Sequence, residues 1–266
     1  MDSLFQTEQP ALPHALRLGT SGWDYPDWKG NFYPATLPQN KRLGFYGGLL
    51  STVEIDSTFY AMRPRAQFEK WAAQAPAGFL FSLKAPQRIT HEKSLLDCDA
   101  DVGDMLESIA GLGNKLGPVL FQFPYGFKPD RLPDLLTFLD RLPTADFKFV
   151  IEVRNRAWVK SNLVSELRDR KLTLALVDHP WMPRMTDLTG ELVYIRWLGD
   201  QNAVTQFAGT QLDKRESLQW WAQEIVNWTR RDFPVFGYFN NHFAGHAPSD
   251  INLLRDLIGT ILSHPS

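Results

Sequence analysis

The sequence predicts a (β/α)8 barrel of the TIM type. Short runs of β-branched and aromatic residues occur eight times along the 266 residues, and most are followed by a polar loop and a helix-like stretch. Strands that alternate with helices pair in parallel through right-handed crossovers, and eight such units most simply close into a barrel. With 44% hydrophobic residues the chain can bury one such core. We therefore predict a single domain over residues 16–266, preceded by a loose lead-in over residues 1–15.

The predicted strands are bounded by glycine, proline or polar residues, as short strands usually are. They cover residues 16–23, 51–60, 79–86, 117–124, 148–155, 172–178, 192–199 and 235–242. The predicted helices carry apolar residues at helical spacing, and Pro64, Asp101 and Ser249 stand where a first turn or a cap is expected. These helices cover residues 64–75, 101–116, 131–142, 159–171, 212–231 and 249–262. Because residues 180–190 are few and contain two prolines, the link between strands six and seven is predicted to be a loop.

Polar and apolar residues alternate within most of the strands. In the fifth run Phe149, Ile151 and Val153 take one face, whereas Glu152 and Arg154 take the other. Because helices cover the outside of a barrel, the apolar face should point outward and the polar face inward. The polar set then converges at the carboxyl end of the strands, where barrel enzymes carry their sites. It comprises Glu54, Asp56, Ser82, Lys84, Gln122, Glu152, Arg154, Asp178, Arg196 and Asn240.

Composition excludes several classes of protein. A formal net charge of -2 argues against a strongly basic nucleic-acid arm. The one cysteine, Cys98, allows neither an intrachain disulfide nor a thiolate zinc site, so a cytoplasmic location is the default expectation. The amino terminus lacks the pattern of a signal peptide, and apolar runs of membrane length are absent from the sequence. We expect no membrane partner.

Four segments carry recognisable motifs: residues 19–28 (Gly-Thr-Ser-Gly-Trp, then Tyr and Trp), 54–60 (Glu-Ile-Asp-Ser-Thr-Phe-Tyr), 152–154 (Glu-Val-Arg) and 239–247 (Phe-Asn-Asn, then Gly and Ala). Together they resemble the YecE-like family, also called domain of unknown function 72. The resemblance extends over nearly the whole chain and implies a TIM-like barrel whose activity is not established. Two positions depart from the commoner family pattern: Asp56, where many relatives have Asn, and Asn155, where a His often follows the Glu-x-Arg motif. The second departure counts against any mechanism built on position 155.

Aromatic and cationic residues at the strand ends indicate the kind of ligand. Trp23, Tyr25 and Tyr60 could stack a sugar, a nucleobase or another ring. Lys84, Arg154 and Arg196 could clamp a carboxylate or a phosphate, since an arginine fork binds two oxygens at once. The alternative is that Arg154 and Arg196 only neutralise Glu152 and Asp178. The predicted substrate-binding set is Trp23, Tyr25, Tyr60, Gln122, Arg154, Asp178, Arg196, Asn240 and Asn241.

The catalytic candidates are Glu152, Asp56, Lys84 and His242. Either carboxylate could be a general base, Lys84 could instead form a Schiff base, and His242 could be a general acid or base near Asn240 and Asn241. Barrel glycosidases of the common type place carboxylates at strands four and seven, where this chain has Gln122 and Arg196. Neither a phosphate-binding glycine loop nor a nucleophile elbow occurs in the sequence.

No cofactor is predicted. A divalent cation on Asp178, Glu152 and Asp56 is the less favoured alternative, because Lys84 and Arg154 would compete with it. The favoured hypothesis is a hydrolase or lyase for a small anionic, ring-containing substrate such as a phosphorylated sugar, a nucleotide or a nucleic-acid end. The alternatives are a non-catalytic nucleotide- or nucleic-acid-binding module and a metal-dependent phosphoesterase. A catalyst should contain a carboxyl group whose pKa is shifted towards neutrality, whereas a binding module needs none.

Overall fold

Eight parallel strands form the wall of a barrel in the computed structural model, which describes residues 12–264. Most of the predicted lead-in at residues 1–15 lies outside these residues. The strands run in the order β1-β8-β7-β6-β5-β4-β3-β2, so neighbours in the chain are neighbours in the sheet and β1 lies beside β8. This topology confirms the predicted barrel. The strands are β1 (Leu16–Thr20), β2 (Thr52–Ile55), β3 (Leu80–Lys84), β4 (Leu116–Gln122), β5 (Phe149–Glu152), β6 (Thr173–Asp178), β7 (Val193–Trp197) and β8 (Val235–Phe239).

Helices follow seven of the eight strands. Each of the six predicted helices is present with ends shifted by a few residues, and residues 179–192 contain no helix, as expected for the link between β6 and β7. None of the helices within residues 12–264 combines the length and apolar character needed to cross a bilayer. The helices are α1 (Arg42–Leu49), α2 (Arg65–Gln74), α3 (Asp99–Ile109), α4 (Leu132–Leu139), α5 (Leu163–Asp169), α6 (Arg215–Thr229) and α7 (Ala247–Ser263).

Helix α1 was not predicted, because three of its eight residues are glycine and glycine disfavours helices. Tertiary contacts fix it instead. Leu43 and Tyr46 are buried, and the Tyr46 hydroxyl accepts a hydrogen bond from the Thr20 amide at 2.9 Å and donates one to the Thr52 carbonyl at 3.1 Å. The helix therefore ties the end of β1 to the start of β2.

The barrel closes at the seam between β1 and β2, where the backbones approach closely without a regular ladder. A Cβ atom on Gly19 would lie 2.0 Å from the Thr52 carbonyl oxygen, so only glycine fits there. Further along, Ser21 and Glu54 form an isolated parallel bridge, and the Gly22 amide donates to the Glu54 carbonyl at 2.8 Å. This bridge brings Ser21 and the Glu54 side chain to the carboxyl end of the barrel.

The interior of the barrel is partly polar, as the alternation predicts. The Tyr238 hydroxyl lies 2.8 Å from the Thr52 hydroxyl and 2.6 Å from that of Ser82, which links β8, β2 and β3 across the lumen. Ile151 packs in the layer between strands and helices, whereas Glu152 contacts side chains inside the barrel. The predicted inward orientation of the polar face of β5 is therefore confirmed.

Asp178 is an exception: the prediction that it points into the barrel is wrong. Its carboxylate accepts hydrogen bonds from the Trp221 indole at 2.8 Å and from the Ser217 hydroxyl, both on α6 outside the barrel. Along β6 Ala175 faces the lumen and Leu176 faces the helices, so Asp178 shares the outward face with Leu176. The strand is apolar on both faces, and its sequence therefore does not reveal which face is inward.

Candidate active site

A cavity of about 380 Å³ opens at the carboxyl end of the barrel. Residues at the ends of β2, β3, β4, β5, β7 and β8 meet in it, together with the loops that follow β6 and β7. Eight of the predicted site residues line it: Asp56, Tyr60, Lys84, Gln122, Arg154, Arg196, Asn240 and His242. The structure therefore brings these eight residues together around one cavity.

A buried ion-pair network forms the floor of this cavity. Arg196 on β7 donates from Nη2 to Glu54 Oε1 at 2.7 Å and from Nη1 to Glu152 Oε2 at 2.8 Å. The Glu54 carboxylate also accepts from the Ser21 hydroxyl at 2.9 Å and from the Tyr194 hydroxyl at 2.7 Å. The Arg196 side chain is 4% exposed and both carboxylates are fully buried. Both terminal nitrogens of Arg196 are thus used within the protein, which favours its alternative role as a neutralising group over a clamp.

Glu152 is held as a carboxylate by two arginines. Its Oε1 accepts from Arg154 Nε, and its Oε2 accepts from Arg196. Burial would raise the pKa of Glu152, but the charges of Arg154 and Arg196 outweigh burial and lower it to about 2. A carboxylate with so low a pKa is a poor general base at neutral pH, so the geometry favours an electrostatic role for Glu152 over the predicted catalytic one.

Arg154 keeps part of its guanidinium available to the cavity. Its side chain is 22% exposed, and only Nε is used by Glu152. The two Nη atoms form no hydrogen bond with any residue that the structure describes, and they can donate in parallel to one anion. Arg154 therefore suits the clamp role better than Arg196 does.

Lys84 projects from the end of β3 into the cavity. Its Nζ lies 3.7 Å from the centre of the Phe59 ring. Burial, reinforced by the positive charges of Arg196 and Arg154, lowers the pKa of Lys84 to about 8, although Glu152 acts in the opposite direction. A substantial fraction of this amine is therefore neutral near physiological pH.

Asp56 is the carboxyl group best suited to proton transfer. It lines the cavity and forms no ion pair with any described residue. Burial and the neighbouring Glu54 carboxylate raise the pKa of Asp56, and the opposing influence of Arg196 and Lys84 is smaller. Its pKa is thus shifted towards neutrality, in contrast to that of Glu152.

His242 and Asn240 follow β8 and line the cavity from that strand's end. The Nδ1 atom of His242 is 2.7 Å from the Val204 carbonyl, which can only accept, so Nδ1 carries the proton and Nε2 is the basic nitrogen. The Asn240 side chain accepts from the His242 amide at 3.0 Å and fixes this turn. Asn241 is a structural residue, because it is buried outside the cavity and accepts from Trp28 Nε1 and from the first amide of α7.

Exposed aromatic rings surround the cavity mouth. Tyr60, Tyr125 and Trp181 are 76%, 61% and 60% exposed, and all three line the cavity. Trp23 and Tyr25, which were predicted as stacking residues, lie elsewhere. The Trp23 ring packs edge-on against Trp71 of α2, and Tyr25 packs against Trp28 and Phe207 and donates to the Ser21 carbonyl.

The predicted set did not include several residues of the loops after β4, β6 and β7. Tyr125, His179 and Trp181 border the cavity, as do residues 198–202. The sequence does contain a signal for the last segment: a polar Gly-Asp-Gln-Asn run lies directly after a strand, and the loops at this end of a barrel carry the site residues.

The structure shows no group of side chains that could hold a metal ion within residues 12–264. Such a group would need three or more His, Cys, Asp or Glu side chains close together.

The profile of the family described as "Protein of unknown function DUF72" matches residues 17–265. The chain belongs to the DUF72 family. It is similar to UPF0759 protein YecE of Escherichia coli K12, with 26% identity over 92% of this chain and 94% of YecE. It is also similar to UPF0759 protein YunF of Bacillus subtilis 168, with 25% identity over 91% of this chain and 94% of YunF.

Crystal structures of two DUF72 family proteins have the same fold. The protein from Thermotoga maritima is 26% identical, has a TM-score of 0.77 and matches 94% of this chain and 100% of its own. The protein from Enterococcus faecalis is 19% identical, with a TM-score of 0.71 over 91% of this chain and 95% of its own. These likenesses show the barrel and establish no activity.

Asn155 has a structural role in this DUF72 member. Its side-chain oxygen accepts from the Ala157 amide at 3.0 Å, and its nitrogen donates to the Tyr125 carbonyl at 3.0 Å. Asn155 thereby caps the 3-10 turn over Arg156–Lys160 and anchors the loop that carries Tyr125. It does not line the cavity.

Proposed function

We propose that this DUF72 protein is an enzyme, a hydrolase or lyase, acting on an anionic, ring-containing substrate that enters the cavity. The observation that carries the proposal is the unpaired Asp56 carboxyl group, with its raised pKa, in the same cavity as Lys84. A protein that only binds an anion has no need of a buried carboxyl group beside the ligand, since it would repel the ligand whenever it ionised.

The cations of the cavity support an anionic substrate. Arg154 offers two Nη donors and Lys84 adds a second positive charge, while the charge of Arg196 is already balanced by Glu54 and Glu152. A phosphate or carboxylate at the Arg154 Nη atoms would pair with a guanidinium that lacks a full complement of partners, and the Lys84 charge nearby would add to the attraction. This pairing occurs in a partly enclosed space, where it is stronger than in water.

The aromatic side chains at the mouth support a ring in the substrate. Exposure of three large rings around one opening is unfavourable in water unless a ligand covers them. Tyr60 and Trp181 lie on loops after different strands, so a ring that entered the mouth would meet aromatic faces from more than one side. A phosphorylated sugar or a nucleotide combines a ring and an anion.

A proton-transfer step would use Asp56, with His242 as the second proton-transfer group that lines the cavity. Asp56 in its acid form can donate a proton to a leaving oxygen, and His242 Nε2 can accept one from water or from a carbon acid. The fixed Glu152 carboxylate holds Arg154 in place and keeps the floor electrically balanced. Glu152 therefore contributes through position and charge.

A ligand panel read by thermal shift tests the proposal, with phosphorylated sugars and nucleotides compared with their dephosphorylated forms. We expect stabilisation by some phosphorylated members only, abolished by Arg154→Met and retained by Arg156→Met. The second variant removes an exposed arginine that does not line the cavity. No ligand-dependent shift, or a shift insensitive to Arg154→Met, contradicts the anionic-substrate proposal.

Turnover of the stabilising ligands, followed by NMR, separates catalysis from binding. Asp56→Asn exchanges the carboxyl group for an amide of nearly the same size and shape, so the variant should fold. We expect kcat to fall by about 100-fold or more, as for the loss of a general acid or base, with KM changed little. A ligand that binds equally to both forms and remains unaltered favours the second candidate, a nucleotide-binding or nucleic-acid-binding module that uses the exposed rings.

A further inference from the structure

Lys84 differs from the other cations of the cavity in having no anionic partner. Arg154 and Arg196 each contact at least one carboxylate, whereas no Asp or Glu oxygen of residues 12–264 lies within 4 Å of Lys84 Nζ. Its Nζ lies instead against the face of Phe59, an apolar ring that takes up no proton. A lysine needed only to balance charge would be expected beside a carboxylate, as both arginines are.

We propose that Lys84 is a nucleophile that forms an imine with a carbonyl group of the substrate. The proposal rests on the proposed function in one respect, namely that the substrate enters the same cavity. It narrows the substrate class to an anionic, ring-containing or ring-forming compound with an aldehyde or ketone group, such as an open-chain sugar phosphate.

The backbone holds Lys84 firmly in position. Lys84 ends β3, which pairs with strands on both sides, and its carbonyl accepts a hydrogen bond from the Thr58 hydroxyl at 2.7 Å. Phe59 follows Thr58 in the chain and lies under the amine. The same short segment after β2 therefore fixes both the main chain and the side chain of Lys84. Rigid placement of a nucleophile lowers the entropy that a reaction must lose.

The surroundings of the amine favour its reactive, neutral form. The Phe59 face attracts the ammonium form, a contribution of about 0.5 to 2 kcal/mol in proteins generally. Burial and the two guanidinium groups act in the opposite direction and lower the pKa of Lys84 to about 8. At pH 7 roughly a tenth of Lys84 is then neutral, more than about 200-fold the neutral fraction of an exposed lysine.

The neighbouring groups can complete the reaction without another reagent. The Lys84 nitrogen lone pair forms a bond to the carbonyl carbon, and the carbonyl oxygen takes a proton from the acid form of Asp56 to give a carbinolamine. The nitrogen loses one proton to the Asp56 carboxylate. The carbon–oxygen bond then breaks, and the oxygen leaves as water with that proton. The nitrogen keeps its second proton, so the products at this stage are a protonated imine, one water molecule and the Asp56 carboxylate. Transfer of that proton to Asp56 gives the neutral imine and restores the acid form of Asp56, so atoms and charges balance.

Reductive trapping with pyridoxal 5′-phosphate tests this proposal, because the probe has a ring, a phosphate and an aldehyde. The full-length protein is incubated with the probe and cyanoborohydride, which reduces an imine to a stable amine, and the labelled peptides are identified by mass spectrometry. Exposed Lys160 and Lys128 serve as internal controls for ordinary surface reactivity. We expect Lys84 to be labelled at least about ten-fold faster than either control.

Three comparisons make the result specific. Lys84→Arg, which keeps the positive charge, should eliminate the fast label while leaving that of Lys160 unchanged. Pyridoxal, which lacks the phosphate, should label Lys84 more slowly, and Arg154→Met should slow labelling by the phosphorylated probe. Labelling of Lys84 no faster than of Lys160 overturns the proposal.

Pyridoxine 5′-phosphate distinguishes failure of this inference from failure of the proposed function, since it has the ring and the phosphate but no aldehyde. Thermal stabilisation by this compound without fast labelling of Lys84 means that the anion site is real and the imine proposal is wrong. Absence of both stabilisation and fast labelling contradicts the imine proposal and counts equally against the anion site.

Discussion

Replacement of Arg196 by methionine should strongly lower the free energy of unfolding of the protein. Arg196 spans two carboxylates, Glu54 at 2.7 Å and Glu152 at 2.8 Å, at the floor of the barrel mouth. From the sequence alone this arginine was expected to be part of an anion clamp, and a clamp residue could be removed at little cost in stability. Because the structure places it between two fully buried carboxylates, its removal leaves negative charges that water cannot reach.

The size of this destabilisation depends on the hydrogen bonds and ion pairs that each carboxylate keeps after the substitution. Glu54 keeps hydrogen bonds from Ser21 and Tyr194, and Glu152 keeps its ion pair with Arg154. Loss of one partner from a buried ion pair typically costs about 3 to 5 kcal/mol, and the remaining partners place this case near 4 kcal/mol, about the middle of that range. For a protein of this size that corresponds to a decrease in Tm of roughly 10 °C.

Thermal unfolding followed by circular dichroism measures the effect, with Arg156→Met as the matched control. Arg156 is exposed and forms no ion pair with any residue that the structure describes, so its loss should change the stability by no more than about 0.5 kcal/mol, a shift in Tm of about 2 °C or less. If the Tm of the Arg196→Met variant lies within about 3 °C of that of the unmodified protein, the ion pairs of Arg196 do not stabilise the fold as argued. Arg196 would then belong to the ligand site after all.

Two further perturbations test the electrostatics and the closure of the barrel. The native pKa of Glu152, about 2, lies below its ordinary value of 4.5. The resulting stabilisation, about 3 kcal/mol, is therefore complete above about pH 4.5 and is lost as the pH falls towards 2. Urea unfolding at a series of pH values should follow this decline, and a flat profile below pH 4.5 would contradict the buried network. Gly19→Ala should cost about 3 kcal/mol or more, because its Cβ would overlap the Thr52 carbonyl, whereas Gly103→Ala, with open space around its Cβ, should stabilise α3 by up to about 1 kcal/mol. Equal melting temperatures for these two variants would show that the β1–β2 seam can widen freely.

The fold could be predicted because its signal is repeated along the chain. Eight strands with helical stretches between them leave few topologies, and the loop between β6 and β7 followed from the prolines at 180 and 183. Helix α1 was missed because its stability comes from contacts of Leu43 and Tyr46 with distant residues, and local preference opposes it. A helix that contains several glycines is therefore missed when the prediction relies on helix propensity.

The site could be predicted only as far as strand alternation reaches. Glu152 and Arg154 were placed correctly because β5 alternates clearly, whereas Asp178 was misplaced because β6 is apolar on both faces. Trp23 and Trp181 are both aromatic residues after strands, yet one packs on a helix and the other borders the cavity. Loop conformation decides between these outcomes, and a single sequence carries little information about it.

The polar residues at the barrel mouth form two layers with different physical roles. On β2, β3 and β5 an inward polar residue is followed two positions later by a second one, in the pairs Glu54 and Asp56, Ser82 and Lys84, and Glu152 and Arg154. Two residues advance a strand by about 6.6 Å, which separates a fully buried layer from the cavity lining. In the buried layer the hydrogen bonds are made within the protein, as at Glu54 and Ser82.

This layering explains why the pKa shifts within the site run in opposite directions. In the buried layer Glu152 lies between two arginines, so its pKa falls despite burial. In the lining layer Asp56 and Lys84 are also partly removed from water but lack close partners of opposite charge, so the pKa of Asp56 rises and that of Lys84 falls. The pKa values of an acid and of a base that line the same cavity are thereby both shifted towards neutrality. Such a pair can exchange protons with a substrate at little cost in free energy, whereas the ion pairs beneath it cannot.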